Sequence, residues 1–197
     1  NPRMGREKEF EVTPAVNKKR VVVVGGGPGG LEAAKVAAMR GHEVVLLEKG
    51  EKLGGQMAIA SVPRYKEGLL DFVGYLEKRV KSLGVKIVLG KAATPESVKE
   101  YKPDAVVVAT GVKARVLDLP GPKSIPLWTA EDILEGKEEV GDAIIVVGGG
   151  MVGCEVAELL AEKGKKVTIV EMLAIPAEDM ETAHRRHMLN RLKKLGV

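Results

Sequence analysis

Two runs of consecutive apolar residues, each followed by a glycine-rich turn, dominate the pattern of the chain. Val21–Val24 precedes the sequence GGGPGG, and Ile144–Val147 precedes GGGMVG. Unbroken β-branched runs are typical of parallel strands that are covered on both faces. A helix rich in Ala and Leu follows each turn, and a second apolar strand then ends in Glu48 or Glu171. The pattern predicts two strand–turn–helix–strand units in an α/β chain.

The two units are copies of one another. Val21–Glu48 aligns without a gap on Ile144–Glu171, at a constant offset of 123 positions. Each copy carries G-x-G-x-x-G before its helix and an acid about 20 residues further on, which together form the fingerprint of a dinucleotide-binding unit. The first glycine permits the tight turn, the second lets a pyrophosphate approach the helix N-terminus, and the third lets the helix pack on the strand. The repetition in register predicts two Rossmann-like nucleotide sites in tandem.

The segment between the copies completes the first unit. Apolar residues at helical spacing predict a helix within Pro63–Leu83, and a strand follows at Val85–Leu89. Thr94 before Pro95 predicts the start of a short helix, because threonine caps helices and proline fits their first turn. A strand at Ala105–Ala109 then runs into Thr110-Gly111.

The domain boundaries follow from these elements. Residues 20–111 form the first nucleotide-binding domain, and residues 143–197 form the first half of the second. We expect the second domain to be truncated, because Leu195-Gly196-Val197 repeats Leu83-Gly84-Val85, where a helix ends and a strand begins. Residues 112–142 are an interdomain linker that includes a short helix at Thr129–Glu135. Residues 1–19 are a linker from an upstream domain. The turn-forming residues of the interdomain linker are Pro120, Gly121, Pro122 and Pro126.

Composition excludes several other classes of protein. A single cysteine excludes an internal disulfide framework and a four-thiolate metal cluster held by this chain alone. The longest uncharged apolar stretch, Ala143–Val147 running into glycines, is far shorter than the ~20 residues that cross a membrane. Six aromatic residues make a base-stacking nucleic-acid surface improbable despite the net charge of +4. We therefore expect no membrane or nucleic-acid partner and, without a signal sequence, a cytoplasmic protein.

The cysteine and the paired histidines are not assigned to catalysis or metal binding. Cys154 follows the second fingerprint and occupies the position of Leu31 in the first copy, which favours a small apolar packing role. His184 and His187 flank two arginines, whose positive charge opposes a bound cation. We expect no catalytic acid or base, because hydride transfer between cofactors demands none.

Three further motifs refine the interpretation. The start Asn1-Pro2-x-x-Gly5-Arg6-Glu7, the loop Leu53-Gly54-Gly55-Gln56 and the second fingerprint Gly148–Glu155 resemble the C-terminal part of the 2,4-dienoyl-CoA reductase, enoate reductase and trimethylamine dehydrogenase family. These are NADH:flavin oxidoreductases, in which the first fingerprint holds FAD and the second holds NAD(P)H. The resemblance covers essentially the whole chain.

The resemblance implies a set of cofactor-binding residues in each unit. FAD would be bound by the first copy, with Glu48 on its adenosine ribose, and NAD(P)H by the second. The implied residues are Gly25, Gly27, Pro28, Gly29, Gly30, Glu48, Gly55, Gln56, Thr110 and Gly111 in the first unit, and Gly148, Gly150, Met151, Val152, Gly153 and Glu171 in the second.

The resemblance also implies what this chain lacks. No Cys-x-x-Cys follows Gly54-Gly55, which disfavours the disulfide-reductase branch of the superfamily. The family's FMN barrel, its iron–sulfur ligands and the segment that completes the FAD domain would lie elsewhere in the same polypeptide, so electrons would leave FAD for those centres. Two alternatives remain: structural binding of ADP without hydride transfer, as in trimethylamine dehydrogenase, and a glutamate-synthase-type small subunit.

Glu171 predicts the choice of nicotinamide cofactor. A carboxylate accepts hydrogen bonds from a free 2′-hydroxyl but repels a 2′-phosphate, for which Arg or Lys would be expected. We therefore expect NADH rather than NADPH, provided that Glu171 does not simply point to solvent.

Overall fold

The computed structural model describes residues 4–116, 118, 120–121, 124–136 and 139–197. The chain divides into two compact units: Asn1–Ser61 with Glu67–Val112, and Val62–Lys66 with Lys113–Val197. The family resemblance at Asn1-Pro2 and the turn residue Pro122 lie outside the described residues. The assignment of Val62–Lys66 to the second unit was not indicated by the sequence.

Unit 1 is a four-stranded parallel sheet with strand order β3-β2-β1-β4. The central position of β1 places the glycine-rich turn that follows it at the carboxyl edge of the sheet, between β2 and β4. The elements are β1 (Arg20–Val24), α1 (Pro28–Met39), β2 (Glu43–Leu47), α2 (Gly55–Ala60), α3 (Gly68–Ser82), β3 (Lys86–Val88), α4 (Pro95–Lys99) and β4 (Ala105–Val108).

The sheet of unit 1 is covered on both faces at its centre, as the apolar runs predict. One core contains Val21, Val23, Leu31, Leu46 and Leu76, from β1, β2, α1 and α3. A smaller core on the other face contains Val22, Val45 and Leu47, with Val98 and Tyr101 packed against them. The fourth strand is less covered, since Val108 is 74% exposed.

Unit 2 pairs two parallel strands and covers one face of them with helices. Cys154, Ala157 and Leu160 pack with Met188 and Leu192 in the core. The expectation of strands buried on both faces is wrong here for the described residues, because Ile145 and Val147 on the opposite face are exposed. The elements are α5 (Ala130–Leu134), β5 (Ala143–Val147), α6 (Met151–Glu162), β6 (Lys166–Val170) and α7 (Thr182–Lys194).

The two short helices expected from the sequence, one after a Thr94 cap and one at Thr129–Glu135, are confirmed. Thr94 and Thr129 each accept a hydrogen bond from the backbone N–H three residues later, and each begins a five-residue helix. The helix expected within Pro63–Leu83 is confirmed and spans Gly68–Ser82, whereas α2 forms where the sequence indicated a loop. No helix of the described chain combines the length and apolar character needed to cross a membrane.

Candidate nucleotide-binding sites

The turn after β1 requires glycine for steric reasons. Gly25 adopts a φ of +110°, and its N–H donates to the carbonyl oxygen of Leu47 at 2.8 Å. A Cβ at Gly30 would overlap the carbonyl oxygen of Gly25, and a Cβ at Gly25 would overlap that of Ala109. Gly25 and Gly30 are therefore packed too closely against backbone to carry a side chain, which brings the N-terminus of the helix to the strand ends.

The carboxylate of Glu48 is tied to this turn. It accepts hydrogen bonds from the N–H of Gly26 at 2.6 Å and from the N–H of Gly50 at 2.7 Å. A carboxylate offers about four acceptor positions, so two remain for other donors. Glu48 is thus held at the strand end with the capacity to accept ribose hydroxyl groups.

The remaining candidate residues of unit 1 lie around the same turn. Gly54 donates its N–H to the carbonyl oxygen of Gly26 at 2.9 Å, which brings the start of α2 against it. A Cβ on Gly55 would lie 3.1 Å from Cα of Gly27, and one on Gly25 would lie 3.2 Å from Cα of Thr110.

Gln56 connects this turn to the end of the unit. Its side-chain amide donates to the carbonyl oxygen of Val112 at 3.2 Å, next to Gly111. The structure therefore gathers at one sheet edge the glycine turn, Glu48, the start of α2 and the segment after β4.

Unit 2 repeats the backbone bond of the turn and the two carboxylate contacts of unit 1. Gly148 donates to the carbonyl oxygen of Val170 at 2.9 Å, and a Cβ on Gly153 would overlap the carbonyl oxygen of Gly148. Glu171 accepts from the N–H of Gly149 at 2.5 Å and of Leu173 at 2.8 Å. These backbone donors, that of Leu173 first, hold the pKa of Glu171 below its usual value. Glu171 is therefore directed at the glycine-rich turn.

The repeat extends beyond the part recognised from the sequence. Ala177 donates to the carbonyl oxygen of Gly149 at 2.6 Å, the counterpart of the bond from Gly54 to Gly26. Ala177 also adopts a left-handed φ of +55°, where Gly54 has +115°. The next bond recurs as well, since Met180 donates to the carbonyl oxygen of Ala177 as Met57 does to that of Gly54. The offset of 123 positions, continued past Glu171, would have found these pairs.

Asp179 is a site residue that the sequence analysis missed. Its two carboxylate oxygens lie 2.9 and 3.2 Å from the backbone nitrogen of Met151, the first residue of α6. Asp179 therefore caps this helix from a segment far along the chain. Unit 1 offers no such donor, because the first residue of α1 is Pro28. Val152, also among the candidates, is exposed on the first turn of α6.

Three acids on α6 face basic side chains within unit 2. Glu155 pairs with Lys66, Glu158 with Arg191, and Glu162 with Arg64 at 3.0 Å. Glu155 and Glu158 are only 8% and 6% exposed. Their spacing on one helix face was the available signal, although nothing in the sequence identified their partners.

The packing role expected for Cys154 is confirmed. The residue is fully buried, and its thiol donates to the carbonyl oxygen of Gly149 at 3.3 Å. Burial raises the pKa of the thiol to about 11, so it is protonated at neutral pH. His184 is exposed and lies 3.5 Å from the carboxylate of Glu181. The described residues contain no cluster of three or more metal-ligating side chains.

Both turns fit the diphosphate and ribose of a dinucleotide. Each presents a glycine cradle that a Cβ would fill, a helix N-terminus with its partial positive charge, and a carboxylate fixed beside it. The fold and the two sites define a chain with tandem dinucleotide-binding units.

The family model for pyridine nucleotide-disulphide oxidoreductases matches residues 19–197, and the chain belongs to that family. It is 46% identical over 172 residues to cinnamate reductase of Clostridium sporogenes, covering 87% of this chain and 26% of that protein. It is 44% identical to NADH oxidase of Thermoanaerobacter brockii, covering 100% of this chain and 31% of the relative.

A solved structure of 2-naphthoyl-CoA reductase in complex with 2-naphthoyl-CoA superposes with a TM-score of 0.93 at 34% identity, covering 100% of this chain and 30% of that one. These relatives confirm the resemblance to the nucleotide-binding part of enoate and dienoyl-CoA reductases. The chain spans less than a third of the length of each of these three proteins.

Proposed function

We propose that this chain is the reductase portion of a larger flavin-dependent oxidoreductase, in which unit 1 holds FAD and unit 2 holds NADH. The observation that supports this most is the repeated carboxylate contact: Glu48 on the N–H of Gly26 and Glu171 on the N–H of Gly149. An acid held in this way in both units gives each a ribose acceptor beside a phosphate cradle. The cofactors supply the hydride donor and acceptor, and the protein binds and orients them.

In unit 1 the residues around α1 would hold the FAD pyrophosphate. Gly27, Gly29 and Gly30 allow the backbone to come close, while Pro28 starts the helix without needing a hydrogen-bond partner for its nitrogen. Gln56 and Thr110 would line the rest of the cofactor, because α2 and the segment after β4 both adjoin the turn.

In unit 2 the carboxylate of Glu171 selects NADH. Its lowered pKa keeps it ionised at neutral pH, where it would repel the 2′-phosphate of NADPH. Gly148, Gly150, Met151, Val152 and Gly153 would face the pyrophosphate.

The electrons would leave FAD for centres outside this chain. We infer that an upstream barrel domain of the same polypeptide carries FMN and an iron–sulfur cluster, as the resemblance implies, and that the protein acts in the cytoplasm. The small share of each relative that the chain covers supports a larger polypeptide.

The test uses the purified full-length protein. Its nucleotides are released by acid and identified by chromatography and mass spectrometry, and anaerobic rapid mixing with NADH or NADPH follows the loss of flavin absorbance. We expect one FAD bound per unit 1 and a higher kcat/KM for flavin reduction with NADH. ADP in place of FAD would instead support the structural alternative.

Sequencing upstream of Asn1 distinguishes the remaining alternative. A barrel followed by a cysteine run of the cluster-binding type supports the dienoyl-CoA and enoate reductase arrangement. A different upstream sequence, without a barrel, would support a glutamate-synthase-type small subunit.

A further inference from the structure

We propose that Asp179 is a built-in competitor of the dinucleotide pyrophosphate in unit 2, so that it sets the affinity of this site for NADH. The proposal rests on the proposed function, since it assumes that unit 2 takes a dinucleotide.

The carboxylate of Asp179 lies at the start of α6, where a helix binds anions. Both of its oxygens face the N–H of Met151, at 2.9 and 3.2 Å. The first N–H groups of a helix have no partner within it and carry its partial positive charge, which is why they bind phosphate. A pyrophosphate at the turn would need the same donor, and its negative charge would be repelled by a carboxylate left in place.

The surroundings of Asp179 belong to the proposed nucleotide site. A shallow pocket is lined by Gly149, Gly150, Glu171 and Asp179, together with Glu178 and apolar residues of the same segment. A Cβ built on Gly150 would lie 3.4 Å from a carboxylate oxygen of Asp179. The side chain therefore lies over the second fingerprint glycine, where the backbone is open to a ligand.

The first unit provides an internal comparison. At the offset of 123 positions Asp179 corresponds to Gln56, which is uncharged and donates to the carbonyl oxygen of Val112. The first residue of α1 is Pro28, with no N–H for a carboxylate to bind. Each unit therefore has an acid placed to bind a ribose, but unit 2 has the competing Asp179 carboxylate where unit 1 has the uncharged Gln56.

The side chain of Asp179 can rotate away from the start of α6 without disturbing the backbone segment that carries it. The backbone there is held by Ala177, which donates to the carbonyl oxygen of Gly149 at 2.6 Å, and by Met180, which donates to that of Ala177 at 3.0 Å. Asp179 itself is exposed, so rotation of its side chain frees the N–H of Met151. The N–H of Met151 would have an anionic acceptor both before and after the exchange.

The experiment compares Asp179→Asn with Glu178→Gln in the full-length protein. Glu178 lines the same pocket and is exposed, but it does not bind the N–H of Met151. Its substitution therefore removes the same charge and leaves the contact between Asp179 and Met151 in place. Isothermal titration uses ADP-ribose, which carries the pyrophosphate but cannot reduce the flavin. We expect Asp179→Asn to lower the Kd about tenfold and Glu178→Gln to change it less than twofold. Flavin reduction by NADH would show the same fall in KM with little change in kcat.

The possible outcomes separate this proposal from the proposed function. An unchanged or raised Kd in Asp179→Asn, with ADP-ribose still bound by the wild type, overturns the competitor role and leaves NADH binding intact. An equal fall in both variants assigns the effect to general charge and also overturns it. Binding by neither the wild type nor Asp179→Asn overturns both proposals. Binding by Asp179→Asn alone supports the competitor role most strongly.

Discussion

Ala177 donates its backbone N–H to the carbonyl oxygen of Gly149, and does so in a left-handed conformation that its counterpart Gly54 adopts without a side chain. In each unit this residue holds the segment that follows the second strand against the glycine-rich turn that follows the first. The same backbone hydrogen bond is therefore made once with glycine and once with alanine. The two positions should respond differently to exchange of these residues.

Gly54→Ala should destabilise unit 1, whereas Ala177→Gly should leave unit 2 nearly unchanged. A Cβ on Gly54 would lie 3.0 Å from Cγ1 of Val73 and 3.2 Å from Cβ of Ala58, at a φ that alanine rarely adopts. We expect a loss of about 2 kcal/mol or more. In Ala177→Gly, relief of left-handed strain opposes both the loss of a buried methyl group and the greater freedom of the unfolded chain, so the change should stay within about 1 kcal/mol.

Scanning calorimetry of the full-length protein, with FAD content as a second readout, measures both substitutions. Equal losses of stability in the two variants would contradict the need for glycine in the left-handed conformation of Gly54.

The third glycine of each fingerprint should control its own nucleotide. A Cβ on Gly30 or Gly153 would overlap a backbone carbonyl oxygen of the turn, and backbone has no easy way to move aside. We expect Gly30→Ala to reduce bound FAD several-fold. Gly153→Ala should retain FAD but slow its reduction by NADH at least tenfold at low NADH concentration.

The ratio of flavin to protein absorbance and anaerobic rapid mixing measure the two effects. Gly74→Ala is the control, because a Cβ there meets nothing within 4 Å and alanine favours α3. Loss of FAD from Gly153→Ala, with none from Gly30→Ala, would reverse the assignment of the two units.

The sequence predicted the two phosphate turns, their helices and the two acids because those features depend on local pattern. The spacing of Gly25 and Gly30 indicates positions where the backbone has no room for a side chain, and the apolar runs indicate the strands. The partners of Glu155 and Glu158 could not be predicted, since Lys66 and Arg191 are far away along the chain. The same holds for the cap that Asp179 provides, because such contacts depend on how the loops return to the helix.

Arg191→Met should destabilise unit 2 by about 1–2 kcal/mol. The guanidinium of Arg191 binds both carboxylate oxygens of Glu158, which is almost fully buried, so the substitution leaves a buried charge without its partner. The arginine is 38% exposed, and water can replace part of the lost interaction, which lowers the expected cost. Calorimetry measures the effect, with Arg186→Met on the exposed side of α7 as the matched control. Equal effects in the two variants would mean that the pair contributes nothing specific.

Cys154 should be unreactive in the folded protein. Its thiol is buried and its pKa is raised to about 11, so the reactive thiolate is scarce at pH 8. We expect less than one-tenth labelling by iodoacetamide under native conditions and complete labelling in guanidinium chloride, as quantified for the Cys154 peptide by mass spectrometry. Rapid native labelling would show that α6 opens readily or that the thiol is exposed.

Glu171→Gln should weaken discrimination against NADPH. The substitution removes the negative charge but keeps one oxygen, which can accept one of the two backbone bonds that Gly149 and Leu173 donate to the carboxylate. We expect the ratio of kcat/KM for NADH to that for NADPH in flavin reduction to fall at least tenfold, mainly through a lower KM for NADPH. Glu178→Gln, in the same pocket but without those backbone bonds, should change the ratio less than threefold. The backbone donors hold the pKa of Glu171 low, so the carboxylate that wild-type discrimination needs should stay ionised from pH 8 down to pH 6. A wild-type preference for NADPH would contradict the role of Glu171.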